Sequence, residues 1–142
     1  MEYRVCRNNP APYNDLNGII SLLGLGTMRL PLRDAADQTS IDEEKAQEIF
    51  DYAYAHGVNY FDTAYPYHGG MSEKFCGKAL AKYPRASYHL ASKLPGWLLK
   101  CDEDVPRIFN EQLANCRTDY FDFYLAHSVH ESSWSNYAKY HA

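Results

Sequence analysis

Strands and helices alternate along this 142-residue sequence, and the strand-like runs are short and apolar. That alternation predicts an α/β fold, a parallel sheet with right-handed crossovers and helices outside. A second observation chooses between the two sheets that fit. The first strand ends in Gly24-x-Gly26, but "GLGTMRLP" lacks a third glycine. A proline-containing loop follows, where a dinucleotide fingerprint would open a helix. The expected architecture is therefore part of a (β/α)8 barrel, about its first four βα units, with a short N-terminal strand or hairpin.

Each element has its own signal. "EYRVC" alternates like a short strand, "NNPAPYNDLNG" is loop chemistry, and "IISLLGLG" reads as one buried strand. In "SIDEEKAQEIFDYAYAHG", Ser40 and Glu43 have capping-box spacing and acids fill the first turn. Ala46, Ile49, Phe50 and Ala53 form its apolar stripe, and Gly57 supplies the left-handed stop. "VNYF" is a strand ending at Asp62. Ser72 is placed to cap a helix with Phe75, Cys76, Ala79 and Leu80 on its apolar face. "SYHLAS" is a strand ending at Lys93. Asp104, followed by Val105 and Pro106, starts another helix, with proline where its missing N–H does no harm. Its stripe is Val105, Ile108, Phe109, Gln112, Leu113 and Cys116. "YFDFYLAH" is a strand ending at His127, and "ESSWSNYAKYHA" begins one more helix.

The totals exclude several classes of function. A formal net charge of −4 without any basic run argues against a nucleic-acid partner. No stretch is long and apolar enough to cross a bilayer, and the N-terminus lacks a signal peptide's apolar centre. A cytoplasmic protein with no membrane partner is expected, its residues 1–142 forming a single domain. The 4 cysteines, Cys6, Cys76, Cys101 and Cys116, contain no C-x-x-C pair, so no metal site is expected. Cys76 and Cys116 fall on apolar helix faces and read as small core residues.

In parallel α/β folds, chemistry collects beyond the carboxyl ends of the strands. Here those ends carry Gly26 and Thr27, then Asp62, Lys93 and His127, with Tyr67 in the loop after Asp62. Singly, Asp62 reads as a turn cap, Lys93 as a solvated strand end and His127 as a core histidine. Three consecutive strands ending in these residues point instead to one rim. A tyrosine hydroxyl has an ordinary pKa of about 10, and an adjacent ammonium favours its phenolate. The ammonium in turn needs a carboxylate, so Asp62, Lys93 and Tyr67 make one device. A neutral His127 imidazole can orient a carbonyl oxygen. The set moves a proton but supplies no electrons, which a cofactor must provide.

"GLGTMRLP", "GVNYFDTAYPYHGGMSEKFCGKAL", "LASKLP" and "TDYFDFYLAH" together resemble the N-terminal half of an aldo-keto reductase, from about Ser21 to about Val129. The resemblance implies a (β/α)8 barrel and NADPH-dependent reduction of a small aldehyde or ketone. It makes Asp62 and Lys93 the ion pair, Tyr67 the proton donor and His127 the carbonyl-orienting group. It places Gly26, Thr27 and Met28, with Asp62, near the cofactor, and Trp97 and Tyr65 as pocket walls. "DTAYPYHGG" and "SKLP" look most like a bacterial branch whose longer members carry a C-terminal iron–sulfur module; nothing in this chain matches that module.

A complete barrel needs roughly 250 residues, so a truncated domain with an incomplete cofactor site and impaired turnover is expected. Two open sheet edges lead to the expectation of a homodimer. A non-catalytic half-barrel remnant, a self-associating module and a Schiff-base lyase using Lys93 are the competing readings.

Overall fold

The computed structural model describes residues 1–5 and 18–140. Strands β1 (Tyr3–Val5) and β2 (Ile19–Ser21) pair antiparallel. Strands β3 (Leu25–Gly26), β4 (Tyr60–Asp62), β5 (His89–Leu94) and β6 (Phe123–Ala126) form one parallel sheet in that order. Helices α1 (Glu43–Ala55), α2 (Met71–Leu80) and α3 (Asp104–Cys116) are the crossovers, and α4 (Trp134–Lys139) follows β6. A strand order that never reverses is that of a barrel, since a doubly wound sheet reverses at its switch point.

"IISLLGLG" is two strands rather than one. Ser21 and Asn59 explain the break: Ser21 N donates to Asn59 Oδ1 at 2.8 Å, and Asn59 N donates to Ser21 Oγ at 3.1 Å. His89 Nε2 lies 2.9 Å from Ile19 O. These bonds pin the hairpin across the N-terminal ends of β4 and β5, opposite the strand ends that carry the candidate site. The loop expected at "NNPAPYNDLNG" falls largely on residues 6–17, outside the described residues, as does Cys6.

Two caps differ from expectation. Helix α1 is capped by Asp42, whose side chain accepts from Lys45 N at 3.3 Å. Ser40 instead bonds Asp34 O and Asp37 O in the preceding loop. Helix α2 begins after Gly70, which lies at φ +89°, and Ser72 is buried inside the first turn. Its hydroxyl joins Thr27 at 2.7 Å and Thr63 at 3.0 Å. Gly57 ends α1 at φ +88°, as expected.

The outer face of the sheet packs on the helices. Phe61 stacks on Phe50, with centroids 5.4 Å apart, and Phe50 meets Phe75 edge-on at 5.6 Å. Phe75, Cys76, Ala79 and Leu80 are all buried, while Ile49 of the α1 stripe is 40% exposed. A buried polar knot ties α2 and α3 to β5. Glu73 accepts from Ser92 Oγ at 2.7 Å and Gln112 Nε2 at 2.6 Å, and Gln112 Nε2 lies 3.1 Å from Lys93 O. Burial pushes the Glu73 carboxyl pKa up.

Helices α2 and α3 approach closely at Gly77, where a Cβ would meet the Cys116 backbone at 2.5 Å. Backbone cannot yield as a flexible side chain does. Gly77→Ala is expected to destabilise the fold by about 1–3 kcal/mol, the usual cost of overpacking. Urea unfolding followed by circular dichroism measures it, and an unchanged midpoint would mean that the helices separate freely.

Candidate active site

Register explains how residues from four strands meet. In the parallel ladder, Gly26 pairs with Asp62, Asp62 with Ala91, and Ala91 with Phe123. Paired residues on neighbouring strands share a face, and side chains alternate with period two. Asp62, Lys93 and His127 therefore point to the same inner face, each strand reaching one pleat beyond the last. Lys93 pairs with Leu125, and His127 lies two residues past it. The stagger is that of a tilted barrel strand.

Lys93 leans back along this face. Its Nζ lies 2.6 Å from Asp62 Oδ1 and donates to Thr63 O at 2.7 Å. It also stands 5.0 Å from the centroid of the Tyr67 ring. Tyr67 meets His127 edge-on with centroids 5.7 Å apart, and Trp97 lies 5.1 Å from the same imidazole. Burial, and next the Lys93 charge, hold the His127 pKa below its usual value, with Asp62 opposing. The imidazole is thus biased towards its neutral form. Its Nδ1 is buried with no hydrogen-bond partner among the described residues. An ion-paired ammonium, a phenol and a neutral imidazole around one space can pass a proton to an oxygen and hold that oxygen in place.

An open cleft of 420 Å³ lies here, lined by Met28, Tyr67, His68, Trp97, His127 and others. Thr27 is buried beside it, its hydroxyl donating to Asp62 O at 3.0 Å. Gly26 faces the same space by register. Tyr65 is the exception among the predicted residues. Its hydroxyl donates to Glu111 of α3 at 3.1 Å, and it lines a neighbouring groove with Trp97. Proline at position 66 and the turn after it send the two tyrosines to different sides.

His68 was not singled out from the sequence. It adopts φ +53°, rare for a residue with a side chain, and Gly69 and Gly70 continue the left-handed run. Its Nε2 accepts from Leu30 N at 3.1 Å, so Nδ1 donates to Gln38 O at 3.0 Å. The bridge fastens the loop after β3 against the Tyr67 loop. The dipeptide His68-Gly69 was the available signal, because a bulky residue before paired glycines marks a tight turn. Among the described residues, no group of three His, Cys, Asp or Glu side chains could hold a metal ion. No helix among them is long and apolar enough to cross a membrane.

The chain is similar in sequence and fold to several known proteins. The chain is 30% identical over 135 residues to protein tas of Escherichia coli, covering 82% of this chain and 36% of that protein. It is 29% identical over 121 residues to a probable aldo-keto reductase 1 of Glycine max, covering 80% and 34% respectively. Among solved structures, the holo form of an aldo-keto reductase from Bacillus halodurans superposes with a TM-score of 0.65 at 30% identity. That match covers 88% of this chain and 40% of the other. An aldo/keto reductase of Klebsiella pneumoniae in complex with NADP and acetate gives 0.61 at 27% identity, covering 78% and 36%. The chain thus spans about a third of the length of the curated relatives it matches. The solved neighbours are (β/α)8 barrels, of which the sequential parallel sheet is a part. Because residues 22–136, most of this chain, match the aldo/keto reductase family, the chain belongs to that family.

Proposed function

We propose that this chain carries the proton-delivering part of an NADPH-dependent site that reduces an aldehyde or ketone. One observation carries the reading: Lys93 Nζ bonds Asp62 while facing the Tyr67 ring, with the His127 imidazole across the same cleft. In this reading the Tyr67 hydroxyl gives its proton to the substrate oxygen as negative charge builds there. The Lys93 ammonium offsets the charge left on the phenolate, and Asp62 holds that ammonium in place. The neutral His127 imidazole donates to the same oxygen and fixes its direction. Trp97 walls the apolar side of the cleft.

The residues present suit the nicotinamide end of NADPH. A Cβ on Gly26 would meet nothing within 4 Å, so the strand end beside Asp62 opens onto free space. Met28 is 57% exposed at the edge of the same cleft. Gly26, Met28 and Asp62 would hold that end, with Thr27 buried behind them and bonded to Asp62 O, and the bound cofactor supplies the hydride. The NADP complex of the Klebsiella pneumoniae neighbour supports this choice.

Consumption of NADPH with a panel of aldehydes and ketones tests the reading. Tyr67→Phe is expected to lower the rate by at least about 100-fold, the contribution typical of a positioned general acid. Full activity in that variant would contradict the role of Tyr67.

Self-association is a second reading, resting on a separate observation. Among the described residues, strands β3 and β6 each have one neighbour in the sheet, and Leu125 on the inner face is 40% exposed. A two-fold axis along the barrel would set β6 of one copy parallel to β3 of another. Light scattering is expected to report twice the chain mass; a compact monomer would contradict it.

A further inference from the structure

His127 is placed from outside its own side chain. Because its buried Nδ1 has no partner among the described residues, the ring is aimed by its main chain and by ring contacts. The main chain is held on both sides. His127 N donates to Leu94 O at 3.0 Å, and His127 O accepts from the hydroxyl of Tyr137, ten residues on in α4. Ser128 then turns the chain away at φ +52°.

The same hydroxyl holds the other wall of the cleft. It accepts from Gly96 N at 3.0 Å and lies 3.1 Å from Leu94 O. A phenol has one proton, which goes to one of the two carbonyls while the oxygen receives the Gly96 N–H. The Tyr137 ring lies over Gly96 so closely that a Cβ there would meet its carbons at 2.3–2.7 Å. Gly96 directly precedes Trp97. One phenol therefore fixes the backbone beneath both the indole and the imidazole that face each other across 5.1 Å.

We propose that Tyr137 is a positioning residue: its hydroxyl clamps the ends of β5 and β6 and so sets the His127 imidazole against Trp97 at the cleft. Glycine at position 96 is the space that the clamp requires. The effect on carbonyl reduction rests on the function proposed above; the clamp itself does not.

The test needs no turnover. A protonated imidazole in contact with an indole quenches its fluorescence, so Trp97 emission reports the His127 contact. Of the two tryptophans, Trp134 is 60% exposed and is removed as Trp134→Phe to leave Trp97 alone. In that background, emission is expected to fall on acidification, with a midpoint below about 6.5, the ordinary histidine value. The charged groups facing His127 are Lys93 and Asp62. His68 also lines the cleft, so His127→Asn must abolish the step; a step surviving it would overturn the placement.

Tyr137→Phe keeps the ring and removes only the hydroxyl. It is expected to cut the step by at least half and move its midpoint up towards 6.5. Gly96→Ala, which displaces the ring, should do the same. A folded Tyr137→Phe with an unchanged step and midpoint, even with a lower melting temperature, would reduce Tyr137 to a structural contact and overturn the proposal. A wild-type chain with an intact step and no carbonyl reduction would refute the function alone.

Discussion

Everything at this site depends on strand register. Four parallel strands bring residues to one rim only if their side chains share a face, and the pairing of Gly26, Asp62, Ala91 and Phe123 enforces it. A slip of one residue would turn Lys93 out to the helices and Phe61 into the cleft. What fixes register is the opposite face. Phe61 and Leu90 are buried against Phe50, Phe75 and Cys76, and Ser92 is bonded to Glu73. The apolar layer outside the sheet thus sets the chemistry inside it.

Register brings the strand ends together, and local hydrogen bonds do the aiming. Lys93 reaches back over one pleat to Asp62 because Thr63 O and the carboxylate lie on the same side of its path. Gln112 holds the Lys93 carbonyl from behind. Arg85 plays a similar part at the far end of the sheet, where its guanidinium meets Asp122 at 2.7 Å and the carbonyls of Tyr88 and Tyr120. The Asp122 side chain is 1% exposed, so this pair is anchored in a setting where an unpaired charge would be costly.

The elements were legible in the sequence wherever burial has a period. The α2 face, the strand end at Asp62, the end of β6 to within one residue of His127 and the glycine stop at residue 57 all follow from apolar spacing and backbone geometry. Caps were less legible. Ser40, Asp42 and Ser72 are all good cap residues, and tertiary partners decide among them: Ser72 is drawn inward by Thr27 and Thr63. Tyr65 and Tyr67 look equivalent in "AYPYHGG", yet with Pro66 and its turn between them one faces α3 and the other the cleft. Tyr137 lay beyond sequence reading because two of the groups it ties together, Leu94 and Gly96, are more than forty residues away. Nothing local marks a clamp.

The most direct measurement of the central claim is a double-mutant cycle on Asp62 and Lys93, using Asp62→Asn, Lys93→Met and the pair, with unfolding free energy as the readout. If the two side chains are joined across adjacent strands, the double variant should depart from the sum of the singles by at least about 0.5 kcal/mol, as contacting residues do. Additivity to within about 0.3 kcal/mol would mean that the lysine and the carboxylate do not meet.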